Sequence, residues 1–106
     1  MLVAEQLALE IVVELEPVLV QIRKHDRSLH DQVRRAEDSI VLNAAEGAGS
    51  RGGNARSRFE AAYGSAKEVS AGLRLAVARG YVSAAAIAKG EQLLDRERGA
   101  LWGLSR

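Results

Sequence analysis

Hydrophobic residues recur along the chain with the spacing of α-helices, and glycine or capping residues separate four such segments. Residues three or four apart return to the same face of a helix, so each segment predicts one amphipathic helix. The predicted helices cover residues 2–24, 28–48, 54–79 and 83–104. Because the connections are short, successive helices run antiparallel. The pattern predicts an all-α fold, an antiparallel up-down-up-down four-helix bundle formed by residues 1–106 as one domain.

The first predicted helix has two apolar stripes, whereas a surface helix of a monomer needs only one. The broad stripe consists of Ala4, Leu7, Ala8, Ile11, Leu15, Val18, Leu19 and Ile22. The narrow stripe consists of Leu2, Leu9, Val13 and Val20. We expect the broad stripe to face the core and the narrow one to form a homo-oligomer interface. Pro17 should kink this helix without ending it, since the apolar register continues beyond it.

The next three helices are bounded by residues that commonly start or stop helices. Asp26 or Ser28 can cap the second helix, Asn54 the third and Ser83 the fourth, and Gly80 ends the third. Glycine inside a helix costs up to about 1 kcal/mol relative to alanine. Gly64 should therefore lie where another helix comes too close for a side chain.

Polar residues near the second turn suggest a network within the hairpin of the second and third helices. Asn43 and Glu46 lie three residues apart near the end of the second helix, and Lys67 and Glu68 lie on the third. A buried carboxylate needs such partners. We interpret these four residues as a polar clamp. An anion-binding or catalytic pocket built from Glu46 and Arg51 remains an alternative.

Composition narrows the class of protein. The 106 residues are 47% hydrophobic but only 4% aromatic, which suits aliphatic helices packed side by side. Cysteine is absent, so disulfides and thiolate chemistry are excluded. The longest hydrophobic region, residues 7–22, is interrupted by Glu10, Glu14 and Glu16, which argues against a membrane span. We expect a cytoplasmic protein without membrane contact.

Charge is distributed unevenly on a chain whose net charge is only +1. Residues 1–16 contain four glutamates and no basic residue. The turn after the second helix carries Arg51, Arg56 and Arg58, with no acid between residues 47 and 59. Such a basic turn can attract an anionic partner, and these arginines are the candidate nucleic-acid contacts. The alternative is a solvated turn that arginines keep soluble.

No motif predicts catalysis, a cofactor or a metal. Residues 47–52 match G-x-G-x-x-G, but a helix precedes them, whereas a dinucleotide site needs a strand there. His25 and His30 are five residues apart, which does not suit ligands on one helical face. Ser39 and Ser65 have no evident histidine base. We therefore expect a protein that is not an enzyme and holds no cofactor or metal.

Several segments resemble the small four-helix bundle proteins encoded by intervening sequences of bacterial 23S rRNA genes, also called S23 proteins. The segments that carry the resemblance are Gln32–Ala36, Ser39-Ile40, Asn43–Gly47, Arg58-Phe59, Ala62–Glu68 and Gly80–Val82. The family usually has an arginine directly after the second glycine of the turn, where this chain has Ser50 and then Arg51.

The resemblance implies an up-down-up-down bundle that assembles as a ring, a pentamer, with no known enzymatic activity. The family is also similar to the accessory proteins of diversity-generating retroelements, which bind nucleic acid and are more basic than this chain. We therefore expect a ring-forming scaffold or binding protein. The alternative is a sequence-independent RNA- or DNA-binding protein.

Overall fold

The computed structural model describes residues 1–106 and contains four α-helices and no strand. The helices are α1 (Val3–His25), α2 (Arg27–Ala48), α3 (Gly52–Ala78) and α4 (Ala84–Ser105). Each helix packs against the helix before or after it, and α1 also packs against α4. The molecule measures 43 × 22 × 19 Å. The prediction of an all-α four-helix bundle is confirmed.

Local sequence sets the helix ends. The Asp26 carboxylate accepts a hydrogen bond from the Leu29 amide at 2.9 Å and caps α2, and the Ser83 hydroxyl accepts one from the Ala86 amide and caps α4. Gly80 follows α3 with φ of +77°, a conformation that favours glycine. The prediction that Asn54 caps α3 is wrong. Gly52, with φ of +59°, lets the helix begin two residues before Asn54.

The broad stripe of α1 lies in the core over its whole length, and α1 passes through Pro17 as one helix. The core has two parts. A cluster of 16 buried residues extends from the α1–α2 and α3–α4 turns, which we call the Asp26 end, as far as Ala8. Four buried residues form a separate cluster near the α2–α3 turn, which we call the Phe59 end. These four are Ala4, Phe59, Ala62 and Leu101.

Three glycines mark the closest contacts of the bundle. A Cβ on Gly72 of α3 would lie 2.5 Å from the Val33 side chain of α2, and one on Gly90 of α4 would lie 2.5 Å from Leu15 of α1. A Cβ on Gly47 would lie 2.6 Å from the Phe59 ring. The prediction for Gly64 is wrong, because a Cβ there would meet no heavy atom within 4 Å. At about 100° per residue, Gly64 lies nearly opposite the buried stripe of α3, whereas Gly72 lies beside that stripe, on the side that meets α2.

Candidate interaction surface

The narrow stripe of α1 is exposed along its length, and we call it the Leu9 stripe. Its members are exposed to 37% at Leu2, 46% at Leu9, 75% at Val13 and 49% at Val20. The α4 side of the stripe borders a surface concavity, which Leu93, Lys89 and Arg96 also line. Lys89 pairs there with Glu14 at 3.6 Å. The chain therefore presents an apolar row that none of its own helices covers.

The contact of α2 with α3 near the Phe59 end includes a short chain of polar side chains. The Asn43 amide donates hydrogen bonds to the backbone oxygen and to the hydroxyl of Ser39, both at 3.0 Å. The Ser65 hydroxyl of α3 donates to the Ser39 hydroxyl at 2.7 Å. Small hydroxyl side chains thus connect the two helices where they lie close together.

The predicted four-residue clamp does not form as a single network. Glu46 instead pairs with Arg58 at 3.0 Å, with both side chains about half exposed. Lys67 lies over the Tyr63 ring, with Nζ 6.0 Å from its centroid. Glu68 is exposed on α3 and makes no hydrogen bond or ion pair with Asn43 or Glu46. Lys67 and Glu68 are both exposed on α3. The polar contact between α2 and α3 is instead made by Ser65 with Ser39.

The three arginines predicted to contact nucleic acid lie together around the start of α3, and all are exposed. Arg51 is the N-cap residue of α3, and Arg58 is the partner of Glu46. Arg56 lines a surface concavity of about 510 Å³ that also includes Glu60 and reaches Ser105 at the end of α4. The first amides of a helix carry partial positive charge, which adds to that of the arginines.

Two buried glutamates are features that the sequence analysis missed. Glu37 of α2 is 3% exposed and Glu97 of α4 is fully buried. Neither carboxylate oxygen of Glu97 has a hydrogen-bond partner, and one oxygen of Glu37 also lacks one. Both could have been found from spacing, because each continues a run of buried positions three and four apart.

Burial raises the pKa of both carboxyls to about 8, since an ionised carboxylate is costly in an apolar interior. For Glu97, burial is the only cause. For Glu37, the charges of Asp38 and Glu16 raise the pKa further, and Arg34 partly opposes them. Near pH 7 both groups are therefore mainly protonated, neutral parts of the core.

A pair of aromatic rings, one exposed and one partly buried, was also missed, because Tyr63 and Trp102 are far apart in sequence. Trp102 is 55% exposed and its ring lies 5.9 Å from that of Tyr63. The two rings line a surface concavity of about 480 Å³ together with Asp95, Arg98 and Gly99. We call this surface of α3 and α4, with the neighbouring Lys67, the Trp102 face.

No three His, Cys, Asp or Glu side chains are grouped so that they could hold a metal ion. None of the four helices combines the length and hydrophobicity required to cross a membrane. The antiparallel packing and the hairpin contact thus define a small all-α four-helix bundle.

Comparison with known families agrees with this class. The chain matches the family of 23S rRNA-intervening sequence proteins over residues 2–103, and it belongs to that family. Searches of curated proteins and of solved structures gave no significant match. These comparisons show no similarity of the chain to accessory proteins of diversity-generating retroelements.

Proposed function

We propose that this protein is a non-enzymatic four-helix bundle that assembles as a ring and acts in the cytoplasm as a scaffold or binding protein. The observation that carries the proposal is the exposure of the Leu9 stripe. Burying apolar surface contributes about 25 cal/mol per Å². Several neighbouring aliphatic side chains that face water on one helix therefore favour association over a monomeric state.

Two further points support the proposal. The resemblance to the S23 proteins implies a ring, most simply a pentamer. Glu46, the carboxylate that an enzymatic role would use, is half exposed and paired with Arg58. A pair of this kind is typical of a surface salt bridge that contributes little to stability.

Light scattering after gel filtration tests the assembly. The wild-type protein should have a mass several times that of the 11.4 kDa chain at micromolar concentration. Val13→Glu should dissociate it and leave the helical circular dichroism intact, because position 13 is exposed on the isolated chain. A uniform 11.4 kDa species for the wild type would contradict the proposal.

A second candidate function is sequence-independent binding of RNA or DNA, favoured by the exposure of Arg51 and Arg56 at the N-terminus of α3. A ring would repeat this cluster on every subunit, so that several clusters could contact one phosphate backbone. Counterion release would then dominate the affinity. Affinity should fall by roughly 0.9 log units per log unit of salt for each duplex phosphate contacted.

Fluorescence titration with duplex and single-stranded RNA and DNA at low and near-physiological salt tests this candidate. The same titration with Arg51, Arg56 and Arg58 all changed to glutamine is the matched control. Binding that is lost in the triple variant locates the site at the turn, and unchanged binding places it elsewhere. No binding at low salt excludes the candidate and leaves the scaffold proposal in place.

A further inference from the structure

We infer that the Trp102 face binds single-stranded RNA or DNA, with a base stacked on the Trp102 ring and phosphates held by Arg56 and Lys67. This inference rests on the second candidate function, because it takes binding of nucleic acid as given and identifies the form of strand and the surface that receives it. Phosphate contacts at the arginine turn alone would serve a duplex and a single strand alike.

Trp102 provides an open aromatic platform. Its ring is tilted by 50° to that of Tyr63, and the residue remains 55% exposed. A Cβ on the neighbouring Gly99 would meet nothing within 4 Å, so the space beside the indole is open. Every base has a π face, so an exposed aromatic ring can stack bases of a single strand whatever their sequence. In a duplex the bases are already paired and stacked on one another, and they cannot reach such a ring without being extruded.

Two basic side chains flank the aromatic pair along α3. Arg56, Tyr63 and Lys67 lie on one face of this helix, because seven residues complete nearly two turns and four complete about one. Arg56 and Lys67 are therefore about 16 Å apart along the helix axis, with Tyr63 between them. Both are exposed, and neither forms a salt bridge. Their charges are available to phosphates on either side of a base stacked at the aromatic pair.

The platform lies next to the arginine turn. Arg56 and Ser105 line one surface concavity. The Ser105 hydroxyl donates a hydrogen bond to the backbone oxygen of Trp102 at 3.1 Å. Ser105 is three residues beyond Trp102 in α4, which is about 4.5 Å along the helix axis. A strand that contacts the turn therefore reaches the aromatic ring within about one helical turn.

The charges around this surface favour a polyanion. Asp95 of α4 pairs with Arg98 at 3.3 Å. One turn earlier, Glu91 pairs with Arg74 at 3.2 Å. Glu60, beside Arg56, is the acid of this surface that has no basic partner. The unpaired basic residues are Arg51, Arg56 and Lys67. Unpaired positive charge beside an exposed aromatic ring is the combination that single-strand-binding proteins use.

Tryptophan fluorescence tests the inference directly, because Trp102 is the only tryptophan of the chain. The wild-type protein is titrated at low salt with a strand of about 12 thymidine nucleotides, a length that suits one small domain. The comparison is the duplex that this strand forms with its adenosine complement. The single strand should quench the fluorescence and bind about tenfold or more tightly than the duplex, since one stacked base has an effect of this size.

Variants of the surface locate the contacts, with a fluorescein-labelled thymidine strand as the probe. Trp102→Ala should weaken binding by about fivefold to a hundredfold, and Trp102→Phe should recover part of the loss because it retains a ring. Lys67→Gln should reduce the dependence of log affinity on log salt by roughly 0.7, the value for one phosphate of a single strand.

Two control variants make the same chemical changes elsewhere. Leu42→Ala removes an exposed apolar side chain from α2, outside this surface. Lys24→Gln removes one positive charge from the last turn of α1, at the Asp26 end. Both should bind the thymidine strand like the wild type. Circular dichroism and light scattering should show the same helical content and the same mass for every variant.

The outcomes separate this inference from the function on which it rests. No binding of the single strand or the duplex at low salt overturns the candidate function itself. Equal binding of both, or single-strand binding that Trp102→Ala leaves unchanged, overturns only the inference and leaves a site that contacts phosphates. A change in the mass of the protein caused by Trp102→Ala also overturns it, because Trp102 would then lie between copies of the chain.

Discussion

At the Asp26 end, 16 buried residues form a continuous core, whereas the Phe59 end has a separate cluster of only four. The Asp26 carboxylate at the first end caps α2 and accepts a hydrogen bond from the Tyr81 hydroxyl at 3.2 Å. Tyr81 in turn stacks on His25. At the second end the exposed groups are Trp102 and the arginines of the α2–α3 turn.

Glu97 lies between buried residues of the two clusters on α4. Leu94, one turn before it, belongs to the large cluster, and Leu101, one turn after it, belongs to the small one. The buried residues of α1 and α3 towards this end of the bundle include four alanines, whose side chains are small. These are Ala4, Ala8, Ala62 and Ala66. One end therefore contains most of the buried core, while the other has a smaller core cluster and carries the exposed Trp102 and the arginines of the α2–α3 turn.

The largest expected effect is the dependence of the free energy of unfolding on pH, because the carboxyl of Glu97 is buried in the core. Its pKa is about 8 in the folded chain against an ordinary value of 4.5, so the folded state retains the proton more tightly. The stabilising contribution is complete below about pH 4.5 and is lost as the pH rises towards 8. Each such carboxyl can change the unfolding equilibrium by up to about tenfold per pH unit. Chemical denaturation should show stability falling as the pH rises from 5 to about 8, and changing little above that, where both carboxyls are ionised in the folded chain as well.

The variant Glu97→Gln measures how much Glu97 contributes to the decrease in stability with rising pH. The amide is neutral at every pH, so the variant should retain only the part of the slope that Glu37 contributes. Glu60→Gln, at an exposed position, is the charge control and should behave like the wild type. If Glu97→Gln left the pH dependence unchanged, the pKa of Glu97 would not be raised by burial in the folded chain.

Overpacking in the large core should have the next largest effect. In Gly72→Leu the new side chain would collide with Val33, a β-branched residue with little freedom to move. We expect a loss of about 1–3 kcal/mol in the free energy of unfolding, measured by urea denaturation. A variant as stable as the wild type would show that α2 and α3 can separate there at little cost.

The smallest expected effect has the opposite sign. Gly64 is exposed, and a Cβ there meets nothing within 4 Å, so Gly64→Ala should stabilise the chain by up to about 1 kcal/mol. The midpoint of thermal unfolding should be measured for Gly64→Ala and for Gly72→Ala. The two variants are matched, because each replaces a glycine of α3 by alanine. If Gly64→Ala destabilised the monomer, another helix would approach Gly64 closely, as the sequence predicted.

The fold was largely predictable from sequence, for physical reasons. The apolar spacing of α1 predicts every one of its buried residues, and Asp26 and Ser83 cap helices as their positions suggest. Each of these signals is local. Gly72 illustrates the limit, because only the tertiary packing brings Val33 of α2 against it. Gly64, by contrast, lies nearly opposite the apolar stripe of α3, so its exposure was available from helical spacing.

The surfaces were predictable only in part. The Leu9 stripe follows from helical periodicity, and its exposure agrees with that pattern. The Trp102 face could not be derived in this way, because Tyr63 and Trp102 become neighbours only when α3 and α4 pack. Glu97 was missed for a different reason. Glu97 continues the spacing of the buried positions of α4, but a glutamate in an apolar run is usually assigned to the solvent face.

Hydrogen–deuterium exchange is the measurement that most directly tests whether the Phe59 end depends on neighbouring copies. The wild-type protein should be compared with Val13→Glu at the same concentration and pH. Residues 97–105 of α4 should lose protection in the variant, while residues around the α1–α2 turn should exchange as in the wild type. Equal protection of residues 97–105 in both proteins, with the variant confirmed as a monomer, would contradict this prediction.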